Sequence, residues 1–316
     1  MSYKTQYLRP LFDSYNQPYP IQWNSVFKKN APLVVEIGFG LGEVLFKRAK
    51  ENPDISFIGI EEIWERIYKA LQTIGRYNDE PLHQSIENIK ILKVDARQAF
   101  QYLFAVKSID SMYALFPCPW PKKGHVKHRL FSHDFLKLLN SRLKIGGDIQ
   151  IVTDHRPFFD WVLEEMKDTG FDLSTDILKP QFNTKFERKW QAEGQHEFFE
   201  IRMVKTFHHD SICQGEFEMK SFIVKDFQPE KFRFENKTGE ISVIFKDFIY
   251  DSSKQTAVVM VLVAEDELNQ YVRVVISKTD IGWRVMRADG QNFFPTAGIA
   301  LAIQLVYEAA KQTNHV

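Results

Sequence analysis

The stretch Leu33-Val34-Val35-Glu36-Ile37-Gly38-Phe39-Gly40-Leu41-Gly42-Glu43 reads as a buried strand running into a glycine-rich turn. Its first five residues make a run of strand length that is apolar apart from Glu36. The glycines then make a turn in which the backbone can approach a ligand closely and aim amide groups at it. Glu43 to Lys50 reads as the following helix, and the alternation continues from there. Ser56–Ile60, Ile89–Val94, Ile109–Phe116 and Asp148–Val152 read as strands. Ile63–Tyr77, Ala96–Val106, Phe131–Leu143 and Arg156–Thr169 read as helices, with Gly146-Gly147 as the stop signal of the third. Such alternation predicts an α/β fold, a mostly parallel sheet with helices on both faces. Ligands of these sheets bind outside the carboxyl ends of the strands.

The strand ends are where the chemistry collects. The second strand ends at Glu61, roughly twenty residues past the glycines, where an acid can bind the two hydroxyls of a ribose. Nicotinamide-binding folds use the same device. Here the spacing is G-x-G-x-G, and Glu36 precedes the first glycine, so a carboxylate is available to an ammonium group. That favours S-adenosylmethionine. The third strand ends at Asp95-Ala96, with Asp95 placed to accept from an adenine amino group. The fourth runs into Phe116-Pro117-Cys118-Pro119-Trp120-Pro121-Lys122-Lys123. Three prolines in five residues predict a stiff, extended segment. Between Lys122 and Arg129 lie Lys122, Lys123, Lys127 and Arg129 and no acid, a patch suited to RNA phosphates.

These residues resemble the bacterial tRNA (guanine-N7)-methyltransferase family. The resemblance runs from Ala31 to Lys205 and includes Glu36-Ile37-Gly38-Phe39-Gly40, Gly59-Ile60-Glu61, Asp95-Ala96, the Phe116–Lys123 segment, Thr153-Asp154 and Thr184-Lys185-Phe186-Glu187. It implies a Rossmann-like class I methyltransferase domain whose cofactor is S-adenosylmethionine, held by Glu36, Glu61 and Asp95 with Gly38, Gly40 and Ala96. It implies that Lys122, Asp154, Thr184, Lys185, Phe186 and Glu187 contact the RNA and its target guanine, with tRNA position 46 as the usual target. Glu187 is then expected to accept from guanine N1 and N2. One departure stands out: the family's catalytic aspartate is replaced by Cys118. A thiol carries little charge at neutral pH, so a catalytically impaired RNA-binding relative is the alternative reading.

Composition sets the limits. The chain has 316 residues, 44% hydrophobic and 14% aromatic, and balances 41 basic against 41 acidic residues. A neutral protein grips RNA through a local patch, not through bulk charge. Two cysteines, Cys118 and Cys213, lack metal-ligand spacing and fit a reducing compartment. No metal is expected. With a polar N-terminus and no long apolar run, the expectation is a cytoplasmic protein without a membrane segment. Residues 1–30 read as an irregular arm and 31–209 as the methyltransferase domain. Residues 210–316 read as a small α+β domain: antiparallel strands at Phe217–Phe222, Ile241–Phe245, Ala257–Val263 and Tyr271–Ile276, closed by a helix over Ala297–Gln312. That domain could hold tRNA, form a homo-oligomer or cap its neighbour.

Overall fold

The Leu33–Ile37 run forms an interior strand of a seven-stranded sheet in the computed structural model, which describes residues 5–15, 17–210, 219–265 and 268–313. The chain divides into two units, Met1–Cys213 and Gln214–Val316. The dividing point falls a few residues past 210.

After a 3-10 turn at Thr5–Leu8, the first unit winds a short helix α1 (Trp23–Phe27), β1 (Leu33–Ile37), α2 (Glu43–Glu51), β2 (Ser56–Glu61), α3 (Trp64–Asp79), β3 (Ile89–Lys93) and α4 (Ala96–Gln98). It continues through β4 (Ile109–Leu115), α5 (His133–Arg142), β5 (Leu143–Thr153), α6 (Arg156–Glu165), β6 (Phe171–Leu178), α7 (Lys185–Ala192) and β7 (Phe198–Lys205). The sheet order is β3-β2-β1-β4-β5-β7-β6. β1 to β5 run parallel, and β7 lies antiparallel between β5 and β6. The order reverses between β2-β1 and β4, so the carboxyl ends of β1 and β4 border a crevice. β2 is buried at every position, as a strand covered on both faces requires.

Several sequence expectations shift. The arm before residue 30 is partly ordered onto the sheet: Phe12 N–H donates to the Ile91 carbonyl and Ile91 N–H to the Pro10 carbonyl, which shields the β3 edge. The helix expected over 96–106 is one α-turn followed by a π-turn, Ala99–Leu103, ending where Phe104 turns extended. The helix expected to reach Leu143 ends at Arg142, because Leu143 already pairs with Ile109. Gly146 and Gly147 lie inside β5, where the register against β4 slips. Gly146 takes φ +79°, and a Cβ on Gly147 would sit 2.7 Å from the Asp110 carbonyl. These glycines serve a strand irregularity, not a helix end.

The second unit holds β8 (Phe222–Val224), β9 (Ile241–Asp251), β10 (Thr256–Glu265), β11 (Leu268–Thr279), β12 (Gly282–Arg287) and α8 (Ala297–Gln312). They form an antiparallel sheet of order β8-β12-β11-β10-β9. Phe217 and Glu218 of the expected first strand lie outside the described residues. Thr296 caps α8 by accepting from Ile299 N–H, and Glu265 accepts from the Thr296 hydroxyl and Gly298 N–H. One stripe of the helix, including Ile299, Ala302, Ile303 and Val306, is buried with Val259, Val261, Val272 and Val274 of the sheet.

Candidate functional site

The turn after β1 is built on two left-handed glycines, Gly38 at φ +69° and Gly40 at φ +58°. A side chain there would be strained by its backbone alone. A Cβ on either meets nothing within 4 Å, so the turn fronts open space. Gly38 N–H donates to the Ile60 carbonyl at 2.9 Å, which pins the turn to the end of β2. Glu61, the last residue of β2, is buried and binds the same turn: its Oε2 accepts from Gly40 N–H (3.1 Å) and from Arg66 (3.3 Å). Its Oε1 accepts from the amides of Glu62 and Ile63. Asp95 caps α4, its Oδ1 accepting from the amides of Arg97 (2.7 Å) and Gln98; Ala96 beside it is buried. Burial, with the negative charge of Asp95 and Glu61, pushes the Glu62 carboxyl up. Tyr15 of the N-terminal arm comes close enough to Glu62 and Asp95 that burial and their charge raise its phenol. The glycine turn fronts open space, and two carboxylates, Glu61 and Asp95, stand at the neighbouring strand ends as acceptors for a ligand that presents hydroxyl and amine hydrogens.

Glu36 sits differently from the sequence expectation. It points into the protein, 3% exposed, and Tyr113 donates its hydroxyl to Oε2 at 2.8 Å. Burial pushes its carboxyl up to about 8, against the pull of Tyr113 and Arg48. Arg48 lies 3.9 Å over the Tyr113 ring and donates to Gln150. The acid therefore braces the β1–β4 seam behind the turn.

The loop after β4 is kinked, not simply extended. Phe116 (φ +55°) and Trp120 (φ +43°) both adopt the left-handed region just before a proline, at a cost of about 1–3 kcal/mol each. Phe116 N–H donates to the Val152 carbonyl, and its ring meets Phe198 edge-on at 5.1 Å. Cys118 is exposed and free. Trp120 packs against His125 and His128. Lys122, Lys123 and Lys127 face solvent. Arg129 does not: it is 6% exposed, donates Nε–H to the Pro119 carbonyl at 2.9 Å and lies 5.1 Å over the Trp161 ring. Here Arg129, expected at a phosphate, clamps the loop inward.

Asp154 follows β5 and is half-buried, and burial raises its carboxyl. Thr184 is the N-cap of α7 and accepts from Glu187 N–H. Glu187 is 1% exposed. Its Oε1 accepts from the amides of Gln181 (2.6 Å) and Phe182 (3.1 Å), and its Oε2 from that of Asn183. The T-x-x-E pattern is a capping arrangement that folds the preceding loop over the helix start. Both oxygens of Glu187 are committed, so in this conformation it is not open to a guanine edge. Lys185 and Phe186 are exposed.

Glu43, a residue the sequence reading passed over, ties this segment to the glycine turn. It accepts from Lys185 N–H (2.9 Å) and from Arg188 (2.7 Å). It stands at the first turn of α2 right after Gly42, so an acid at a helix start was the available signal. Tyr113, likewise missed, was visible only as a polar-tipped residue in an apolar strand.

A family model described as "Putative methyltransferase" matches residues 30–200. A tRNA (guanine-N(7)-)-methyltransferase of Chlorobium phaeobacteroides is 42% identical over 187 residues, 59% of this chain and 88% of its own. The chain belongs to the bacterial tRNA (guanine-N7)-methyltransferase family. A Thermotoga maritima relative of the same description is 28% identical over 305 residues, covering 92% of this chain and 93% of its own. The alignment with that relative thus extends into the second unit. A solved 16S rRNA methyltransferase matches at TM-score 0.47 and 13% identity, over 62% of this chain and 99% of its own. The fold is that of a Rossmann-like class I methyltransferase with a second antiparallel sheet, and the family's cofactor is S-adenosylmethionine. Among the described residues, no helix is long and apolar enough to cross a membrane, and no group of His, Cys, Asp or Glu could hold a metal ion.

Proposed function

We propose that this chain transfers a methyl group from S-adenosylmethionine to N7 of a guanosine in tRNA, at position 46 of the variable loop, in the cytoplasm. The observation that carries the reading is the strand-end cup of Gly38, Gly40, Glu61 and Asp95 in a member of this family. Glu43 ties the cup to the Thr184–Glu187 segment.

S-adenosylmethionine supplies an electrophilic methyl on a sulfonium, and its transfer leaves S-adenosylhomocysteine. Guanine N7 already carries an unprotonated lone pair, so no residue has to remove a proton first. The protein's work is alignment, close approach and exclusion of water. Gly38 and Gly40 would let the backbone close on the cofactor, Asp95 and Ala96 would border the adenine, and Glu61 would take the ribose hydroxyls by exchanging its Oε2 bond to the exposed Arg66 for them. Glu36 acts through Tyr113 as a positioning residue beneath the turn. Lys122 and Asp154 flank the target base, and Thr184, Lys185 and Phe186 present a flat apolar ring and a cation to it. Lys123 and Lys127 hold phosphates.

Cys118 replaces the family aspartate without removing any step that N7 attack requires. Relatives named for the activity support an enzyme over an impaired RNA-binding relative. The test is transfer of labelled methyl to unmodified tRNA with nucleoside analysis, wild type beside Cys118→Asp. 7-Methylguanosine from the wild type upholds the proposal. Product from Cys118→Asp alone would restore the impaired reading, and product from neither would remove the substrate assignment.

A further inference from the structure

The second sheet has an open face whose central strand presents an apolar row to water. α8 covers the face carrying Val259, Val261 and Val263. The alternate residues of β10 point the other way, and Val258, Met260, Leu262 and Ala264 are all apolar and only partly buried. Antiparallel sheets with one wet face normally place polar residues there. The neighbours extend the patch. Leu262 pairs with Ile244 and Tyr271, and Val258 with Ile249 and Val275. Tyr271 is 64% and Ile249 60% exposed. Apolar patches of this kind mark interaction surfaces.

The charges on the face say what fits it. Met260, at the middle of β10, pairs with Asp247 on β9 and Arg273 on β11. Both ions are exposed, and neither has an ion-pair partner among the described residues. Acid and base thus flank one apolar residue at equal distance on opposite sides. A twofold axis along β10 exchanges the two flanks. It sets Arg273 of one copy against Asp247 of the other, twice, with Met260 on Met260 between. The same operation sets Ile244 against Tyr271 and Ile249 against Val275. Packed sheets lie about 10 Å apart, within the joint reach of an arginine and an aspartate. Because the axis lies along β10, only β9, β10 and β11 of each copy face each other; three strands of about 4.8 Å by ten residues of about 3.4 Å give a footprint of roughly 490 Å² per partner, about 1,000 Å² over both, which is the lower end for a specific interface. The β9 edge is a poorer docking site: its register breaks beside the exposed Lys246, which blunts edge pairing.

We infer that the β9–β11 part of the open face is the interface of a homodimer, two copies packed face to face about a twofold along β10, with Arg273 and Asp247 forming reciprocal ion pairs. Isologous contacts of this kind are the commonest in soluble oligomers.

The experiment is sedimentation of the full chain at micromolar concentration. The wild type runs at twice the chain mass. Leu262→Glu runs as a monomer. Arg273→Asp and Asp247→Arg each weaken the dimer at least tenfold, and an equimolar mixture of the two recovers it, because each variant supplies the ion the other lacks. Circular dichroism melts and S-adenosylhomocysteine binding confirm that each variant is folded. A monomeric wild type overturns the proposal, as does a dimer indifferent to Leu262→Glu or single reversals that fail to rescue each other on mixing. A monomeric wild type whose tRNA affinity falls with Leu262→Glu would give the face to RNA instead.

Discussion

The loop after β4 is basic and the segment leading into α7 carries mixed charge, yet the structure divides each in the same way. In the first, Lys122, Lys123 and Lys127 face solvent while Arg129 is buried against Pro119 and Trp161. In the second, Lys185 and Phe186 face solvent while Glu187 is buried under three backbone amides. One ion in each motif gives the backbone its shape, and the others are free to meet a ligand. A charge in a family motif is therefore not by itself a contact residue. Burial separates the two jobs, and so should measurements of stability against binding.

The hardest test of that division is Glu187→Ala. It strands three loop amides, each costing about 1–3 kcal/mol when buried and unpaired. Thermal unfolding should show a loss of about 3 kcal/mol or more, with kcat/KM down more than 100-fold. Glu187→Gln, which keeps one acceptor oxygen, should fall between. An unchanged melting temperature with a lost activity would return Glu187 to the guanine edge.

Glu36 extends the rule to β1. Its folded carboxyl is raised to about 8 from 4.5, chiefly by burial. Between those values the folded state holds a proton that the unfolded chain has lost. Stability therefore falls with rising pH across that window, by about 1.4 kcal/mol per unit, and levels above it. Urea unfolding at pH 6 and pH 8 should show the wild type losing about 2–3 kcal/mol relative to Glu36→Gln. Parallel curves would mean that Glu36 is ionised throughout, as a direct contact with an ammonium requires.

Arg129→Ala comes next. Removing a buried guanidinium bonded to a carbonyl costs about 2 kcal/mol. The melting temperature should drop while the salt dependence of tRNA binding stays as it was. A flatter salt slope would make Arg129 a phosphate ligand after all.

The same physics explains what the sequence disclosed. Parallel strands buried on both faces read as apolar runs, and the strand-end rule then located Gly38, Glu61 and Asp95 without any coordinates. β6 and β7 escaped that reading. β6 lies at the sheet edge with Asp172, Ser174 and Asp176 exposed, so it lacks the apolar run that marks its neighbours. Direction was the other gap. Spacing along the chain gives the position of Arg129 or Glu187 but not whether the side chain turns in or out, because that depends on Trp161, Pro119 and residues 181–183 folding around them. The second sheet shows the converse: its alternation was legible, but its apolar outward set emerged only once α8 had claimed one face.

Lys122→Ala with Lys127→Ala should give the smallest effect and the sharpest contrast. Both side chains are exposed, and neither makes an ion pair among the described residues. Their loss leaves no buried group unpaired, so the melting temperature should not move. Each phosphate contact contributes about 0.7–0.9 to the slope of log affinity against log salt. The double variant should bind tRNA about tenfold more weakly at low salt, with the slope reduced by about 1.4–1.8, while S-adenosylhomocysteine binds as before. Beside Arg129→Ala this is a double dissociation. One variant loses stability and keeps the slope; the other keeps stability and loses the slope. If both variants changed the same quantity, the split of the loop into an inward clamp and outward contacts would be wrong.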